Sequence, residues 1–159
     1  GIQGESLQDL TAGALLHDNA LTQYIQEELH NDIASAIGSA IPLELGIHCA
    51  AGEKNMKDIP SHTDIKNVIL YHHENADGSG YPNNLKGEEI PLGARILRVC
   101  DAFGALIANR PYRSAFDIET AISIMIEEVK NFDMRVFLTF QKVTQSENMK
   151  NMLTDLGIY

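Results

Sequence analysis

Apolar residues recur at three- and four-residue spacing along most of the chain, and strictly alternating runs are scarce, so the pattern predicts an all-α fold. Ser6-Leu7-Gln8-Asp9 has the form of a capping box with Asp in the acidic position, opening a helix that carries Leu10, Ala14 and Leu15 up to His17-Asp18. Thr22 to Ala40 reads as a helix rich in Gln, Glu and Ala, weakened at Gly38-Ser39. Pro42 suits a first turn, with Leu43 to Met56 as the next helix. Pro60-Ser61 opens another, bearing Ile65, Val68 and Ile69, and one further turn of that stripe points His72 and His73 inward.

Residues 74–90 read as one long loop, because Asp77-Gly78, Ser79-Gly80, Tyr81-Pro82 and Lys86-Gly87 are all turn chemistry. Pro91 starts the most apolar helix, Leu92 to about Asn109, which Arg110-Pro111-Tyr112-Arg113 breaks. Asp117 caps a helix through Val129, Asp133 caps another through about Phe140, and Ser146 to Leu156 forms a terminal helix stopped at Gly157. Repeats, low-complexity tracts and a second-domain boundary are all absent from the pattern, so residues 1–159 are expected to form a single domain.

With 159 residues and 44% hydrophobic composition, the chain can bury a sizeable core. It contains no run of about 18 apolar residues, so membrane insertion is not expected, and it has no basic-then-apolar leader. Cys49 and Cys100 sit in apolar runs without CxxC spacing and read as reduced core residues of a cytoplasmic protein. A net charge of −10 and the absence of Trp argue against a nucleic-acid polymer as partner, while leaving room for a small anion held by local basic residues.

Against that background a few residues stand out. His72-His73 needs hydrogen-bond or metal partners if both rings are inward, either a metal ion or backbone carbonyls at the helix C-terminus. His17-Asp18 ends an apolar helix with a nitrogen and an oxygen donor; the alternative is a core histidine followed by a turn aspartate. Asp101 lies in a helix apolar on nearly every side, so its carboxylate must coordinate or pair, with Arg98 or Arg110 as the competing partners. His48 is another imidazole amid apolar residues, with Glu44 on its helix face, whereas His30 and His62 read as surface residues. The mix of donors in His17, Asp18, His48, His72, His73 and Asp101 suits iron, manganese or zinc better than calcium or magnesium. Six ligands point to two metals about 3.5–4 Å apart.

His17-Asp18, His72-His73-Glu74, Asp77-Gly78-Ser79-Gly80-Tyr81-Pro82, and Asp101 with Arg110-Pro111-Tyr112-Arg113 together resemble the HD-GYP family, bacterial metal-dependent phosphodiesterases of the HD superfamily that act on cyclic di-GMP. The resemblance runs from about Leu10 to Phe140 and implies an HD-domain-like helical bundle with a long GYP loop. It places His17, Asp18, His48, His72, His73 and Asp101 at positions of metal ligands, with His17, Asp18 and Asp101 also catalytic. Tyr81 falls on the loop tyrosine, and Arg110, Arg113 and Lys86 fall among substrate-binding positions, the arginines as fixed-charge donors to phosphate. The implied mechanism has a hydroxide bridging two divalent ions (iron or manganese, with zinc as the alternative) and attacking phosphorus in line, while metals and arginines hold the developing charge. A homodimer or a diguanylate-cyclase-type partner is the assembly the resemblance suggests.

Three departures from the family pattern bear on activity. Asn19-Ala20-Leu21 stands where the family has Ile-Gly-Lys, so the lysine is replaced by Leu21; Gly104 stands where the family has Asp. Only sixteen residues precede His17, so the family's first helix, which in some members supplies ligands to a third metal, is expected to be missing. Glu44 and Glu74 are the carboxylates that could supply a further ligand. Two readings stand on these residues: a cyclic di-GMP phosphodiesterase, or a degenerate domain that binds a cyclic dinucleotide or a protein without turnover.

Overall fold

The computed structural model describes residues 5–18, 49–54, 63–110 and 113–155. Their regular structure is helical, with one isolated antiparallel bridge between Arg110 and Arg113. In chain order come α1 (Glu5–Leu16), a helical stretch at 49–54, α2 (Thr63–Tyr71), α3 (Leu92–Ile107), α4 (Ile118–Glu127), α5 (Met134–Thr144) and α6 (Glu147–Asp155). Short 3-10 turns occupy Gly87–Glu89 and Val129–Asn131. The all-α expectation holds over this part of the chain. The expected helix over 22–40, His30, His48, His62, Leu21 and the Gly157 stop lie outside the described residues.

Among the described residues the predicted caps are where the sequence puts them, with one exception; Pro60-Ser61 lies outside those residues. Asp117 accepts from the Thr120 amide at 2.8 Å, and Asp133 accepts from the Arg135 and Val136 amides at 2.9 and 3.2 Å. Ser146 Oγ accepts from the Met149 amide at 3.3 Å. Helix α1, however, already begins at Glu5, so Ser6 lies inside the first turn rather than at the cap. Helix α5 runs on to Thr144, four residues past Phe140, because Thr144 is itself buried and continues the inner stripe. Helix α4 gives way at Glu128 to the 3-10 turn instead of reaching Val129 as α-helix.

Helix α3 is the axis of the molecule. One side meets α4, α5 and α6 in a core of Val99, Phe103, Ile107, Ala121, Met125, Phe132, Phe137 and Leu153. The other side approaches α1 and α2, which pack Ala12 and Leu16 onto Ile65 and Ile69. Val68 is the pivot of that approach. A Cβ on Gly13 of α1 would stand 2.7 Å from Val68 Cγ1, and one on Gly93 of α3 would stand 2.6 Å from Val68 Cγ2. Both glycines therefore let their helices close on one valine. A partly buried ion pair, Arg95 Nη1 to Asp133 Oδ2 at 2.6 Å, ties α3 to the start of α5.

Cys49 is fully buried, as expected, but Cys100 is exposed. Its neighbours are apolar without covering it: it borders an open cleft between α3 and α5 lined by Leu92, Ile96, Val136 and Phe140.

Candidate metal centre and substrate loop

Three helices deliver the site. Helix α1 ends at Leu16 and releases His17-Asp18; α2 ends at Tyr71 and releases His72-His73; α3 presents Asp101 from its middle. Because the histidines come just past helix C-termini, each finds an unsatisfied carbonyl one turn back. His17 Nδ1 lies 2.7 Å from the Ala14 carbonyl and His72 Nδ1 2.7 Å from that of Ile69. With Nδ1 donating, the lone pair of each ring sits on Nε2. His17 Nε2 is 3.1 Å from Asp18 Oδ2 and 3.7 Å from Asp101 Oδ1, and His72 Nε2 is 3.9 Å from Asp18 Oδ1. The two rings meet edge to face with centroids 5.0 Å apart.

The donor set fits a metal. One donor atom each from His17, Asp18 and His72 lie within 4.8 Å of one another, as do one each from Cys49, His72 and His73. The carbonyl bonds fix the tautomer in the way metal-bound imidazoles require, so carbonyl bonding and metal binding, opposed in the sequence, are here two halves of one arrangement. His72 is completely buried, while His73 is only partly so, its ring stacked on Tyr81 with centroids 5.0 Å apart. His17 is raised to about 10 by the Asp101 carboxylate first and by Asp18 next, against the effect of burial. Burial pushes Asp101 and Asp18 upward, yet the close approach and charge of His17 and the neighbouring imidazoles hold both below the usual carboxylate value.

Among the described residues Asp101 has no ion pair with Arg98 or Arg110; its charged neighbour is His17. Glu74, a candidate extra ligand in the sequence, is buried and committed elsewhere. Its carboxylate accepts from the Asn83 amide at 2.6 Å and the Leu85 amide at 3.1 Å, clamping the long loop to the end of α2. Gly80 is obligatory in that loop, since a Cβ there would collide with the His73 carbonyl and the Asn75 amide. These contacts bring Tyr81 over His73. Burial first, then the nearby Cys49, Asp101 and Asp18, pushes its hydroxyl up to about 12 against the opposing charge of Arg98, so it remains a neutral donor.

The predicted substrate-binding residues do not behave alike. Arg110 is exposed at the end of α3. Arg113 is anchored: Nη1 donates to the Leu106 and Ser114 carbonyls at 3.0 and 2.6 Å, Nη2 donates to the Ala105 carbonyl at 2.8 Å, and the guanidinium lies over Phe116. It caps the C-terminus of α3. Lys86 is exposed, with its aliphatic stem against Gly78. Two residues that the sequence did not assign to the site also border it. Cys49 Sγ is 3.9 Å from His72 Nδ1, and Arg98 Nε donates to Asn75 Oδ1 at 3.0 Å. Position 49 follows His48 directly, which was the available signal for Cys49; Arg98 shares a helix face with Asp101.

The model of the HD domain matches residues 5–136, and the chain belongs to that family; its motifs place it with the HD-GYP proteins within it. It is 42% identical over 78 residues to the cyclic di-GMP phosphodiesterase PA4108 of Pseudomonas aeruginosa, covering 49% of this chain and 19% of that protein. Against the cyclic di-GMP phosphodiesterase response regulator RpfG of Xanthomonas campestris it is 50% identical over 58 residues, 36% of this chain and 15% of the relative. Against the 3'3'-cGAMP-specific phosphodiesterase 3 of Vibrio cholerae it is 36% identical over 96 residues, 60% of this chain and 21% of the relative. The chain thus corresponds to about a fifth or less of the length of these relatives. Among the described residues no helix is long and apolar enough to cross a membrane.

Proposed function

We propose that the chain is the hydrolytic domain of a cyclic-dinucleotide phosphodiesterase, with cyclic di-GMP as substrate. The observation that carries this reading is that His17, Asp18 and His72 offer donor atoms within 4.8 Å of one another, with Asp101 3.7 Å from His17 and His73 stacked on a loop tyrosine. His17, Asp18, His72, His73 and Asp101 would hold two divalent ions, iron or manganese by donor chemistry, with His48 as the sequence-assigned sixth ligand. When bound, such ions acidify water to supply the nucleophile and neutralise phosphate charge. The protein's own part is positional. The Ala14 and Ile69 carbonyls hold the two imidazoles in the ligating tautomer. Tyr81, protonated at neutral pH, would offer a hydroxyl to a non-reacting substrate atom above His73, and Arg110, exposed beyond α3, would meet the second phosphate of a dinucleotide.

Leu21 and Gly104 favour a second reading, binding without turnover, because each replaces a charged residue of the family pattern. Elemental analysis of anaerobically purified protein, with cyclic di-GMP hydrolysis followed on the same sample, separates the two. Two metals per chain with turnover supports the enzyme; two metals with none supports binding alone. A chain that takes up no iron, manganese or zinc overturns the metal site itself.

A further inference from the structure

Arg98 projects from α3 one turn before Asp101, on the same helix face, where residues three apart stand about 5–6 Å from each other at Cβ. Three features fix its guanidinium. Nε donates to Asn75 Oδ1 at 3.0 Å; the group lies over the Phe132 ring, 5.4 Å from its centroid; and the side chain is partly buried between α3 and the long loop. Neither terminal nitrogen has a hydrogen-bond partner among the described residues. Arg98 is within electrostatic reach of both Asp101 and Tyr81, the two residues that flank the metal centre from α3 and from the loop.

A guanidinium held at Nε and unpaired at both Nη atoms is a preorganised fork for a planar or tetrahedral anion. Asp101, the carboxylate one turn on along α3, faces His17 instead, and among the described residues the Arg98 charge has no ion-pair partner. The other basic residues named around the site are differently used: Arg113 is consumed by three carbonyls, Lys86 lies along Gly78, and Arg110 stands beyond the end of α3. The site as a whole would present two divalent cations against the charges of Asp18 and Asp101, a surplus that favours a dianionic ligand.

We propose that Arg98 contacts a non-bridging phosphate oxygen of the substrate beside Asp101, acting as the anion-binding residue of the centre. This inference rests on the dinucleotide reading above. It distinguishes Arg98 from a mere tether of the loop, because a tether would act only through Asn75.

The test uses equilibrium binding of a phosphorothioate analogue of cyclic di-GMP to the metal-loaded chain, with metal content and unfolding temperature measured on every variant. Arg98→Gln keeps a side-chain donor for Asn75 but removes the charge, and is expected to weaken binding about tenfold or more with metal content unchanged. Arg98→Lys, which keeps charge without the fork, is expected to fall in between. Asn75→Ala is expected to cost less than about threefold. Parent-like binding by Arg98→Gln, or a loss in Asn75→Ala equal to that in Arg98→Gln, overturns the inference while leaving the dinucleotide reading standing. A metal-loaded parent chain that does not bind the analogue overturns that reading, and the inference with it.

Discussion

His17 and His72 are arranged as a pair: each commits Nδ1 to the carbonyl three residues before it, at 2.7 Å, and their rings meet at 5.0 Å between centroids. Helix ends supply those carbonyls, since the last turn of a helix leaves them unsatisfied. The pair converts a local backbone need into two oriented Nε2 lone pairs.

Asparagine tests that arrangement, because its amide reaches as far as Nδ1 but lacks anything at Nε2. His17→Asn and His72→Asn should both keep the carbonyl contact and lose metal affinity by at least about a hundredfold. His72 belongs to both donor groups and His17 to one, so elemental analysis should find less metal in His72→Asn than in His17→Asn. Equal retention of metal by both variants would remove these residues from the ligand set.

Asp101→Asn should abolish turnover and reduce metal content, and it should also move the acid–base behaviour of the metal-free chain. His17 there is raised from 6.5 to about 10, chiefly by Asp101. A group whose folded pKa exceeds its unfolded one stabilises the fold when protonated, so this contribution is complete below about pH 6.5 and is lost as pH rises through about 10. The lowered carboxylates work in the other direction: their contribution is present above the usual carboxylate value and is lost as pH falls below it. Thermal unfolding of chelated protein should therefore show a melting temperature that declines between pH 6.5 and 10, with a shallower decline in Asp101→Asn. A flat profile in the parent would mean that the His17–Asp101 interaction is not formed.

The closeness of α2 and α3 makes a packing prediction. Gly93→Ala would place a methyl 2.6 Å from Val68 Cγ2, an overlap that costs about 1–3 kcal/mol. Val68→Ala removes the colliding methyl, so the double variant should lose less than the sum of the two single changes in denaturant unfolding. Additive losses would show that the helices yield at some other point.

Much of this centre is legible in the amino-acid sequence. His17-Asp18, His72-His73 and Asp101 are polar residues in apolar helical stripes, and such residues need partners wherever the helices go. The caps at Asp117 and Asp133 are equally legible, because capping is a local contact between a side chain and amides two or three residues on. What the sequence hides depends on how separate segments meet. Glu74 follows His72-His73 directly and reads as a donor, but the loop folds back and encloses it with the Asn83 and Leu85 amides. Cys100 sits in a run as apolar as that around Cys49, yet one faces an open cleft and the other the histidines. Arg98 can be matched to Asp101 by spacing alone, and only the position of Asn75 shows that it turns toward the loop.

The same limit applies to Arg110 and Arg113, which the family resemblance pairs as two phosphate-binding arginines. The chain bends after α3 so that Arg113 faces back along the helix it has just left, and its Nη atoms meet the Ala105, Leu106 and Ser114 carbonyls. A cation at a helix C-terminus is favoured both by those bonds and by the helix dipole. Arg113→Ala should therefore destabilise the chain by about 1–3 kcal/mol, and Arg113→Lys, which cannot span three carbonyls with a fork, should recover only part of that. Arg110 makes one backbone bridge and leaves its side chain exposed, so Arg110→Ala should leave the unfolding midpoint within about 0.5 kcal/mol of the parent while weakening dinucleotide binding. Denaturant unfolding and dinucleotide titration on the two variants read the division directly. If Arg113→Ala melts like the parent and binds the nucleotide poorly, its carbonyl bonds do not hold in solution and both arginines belong to the substrate.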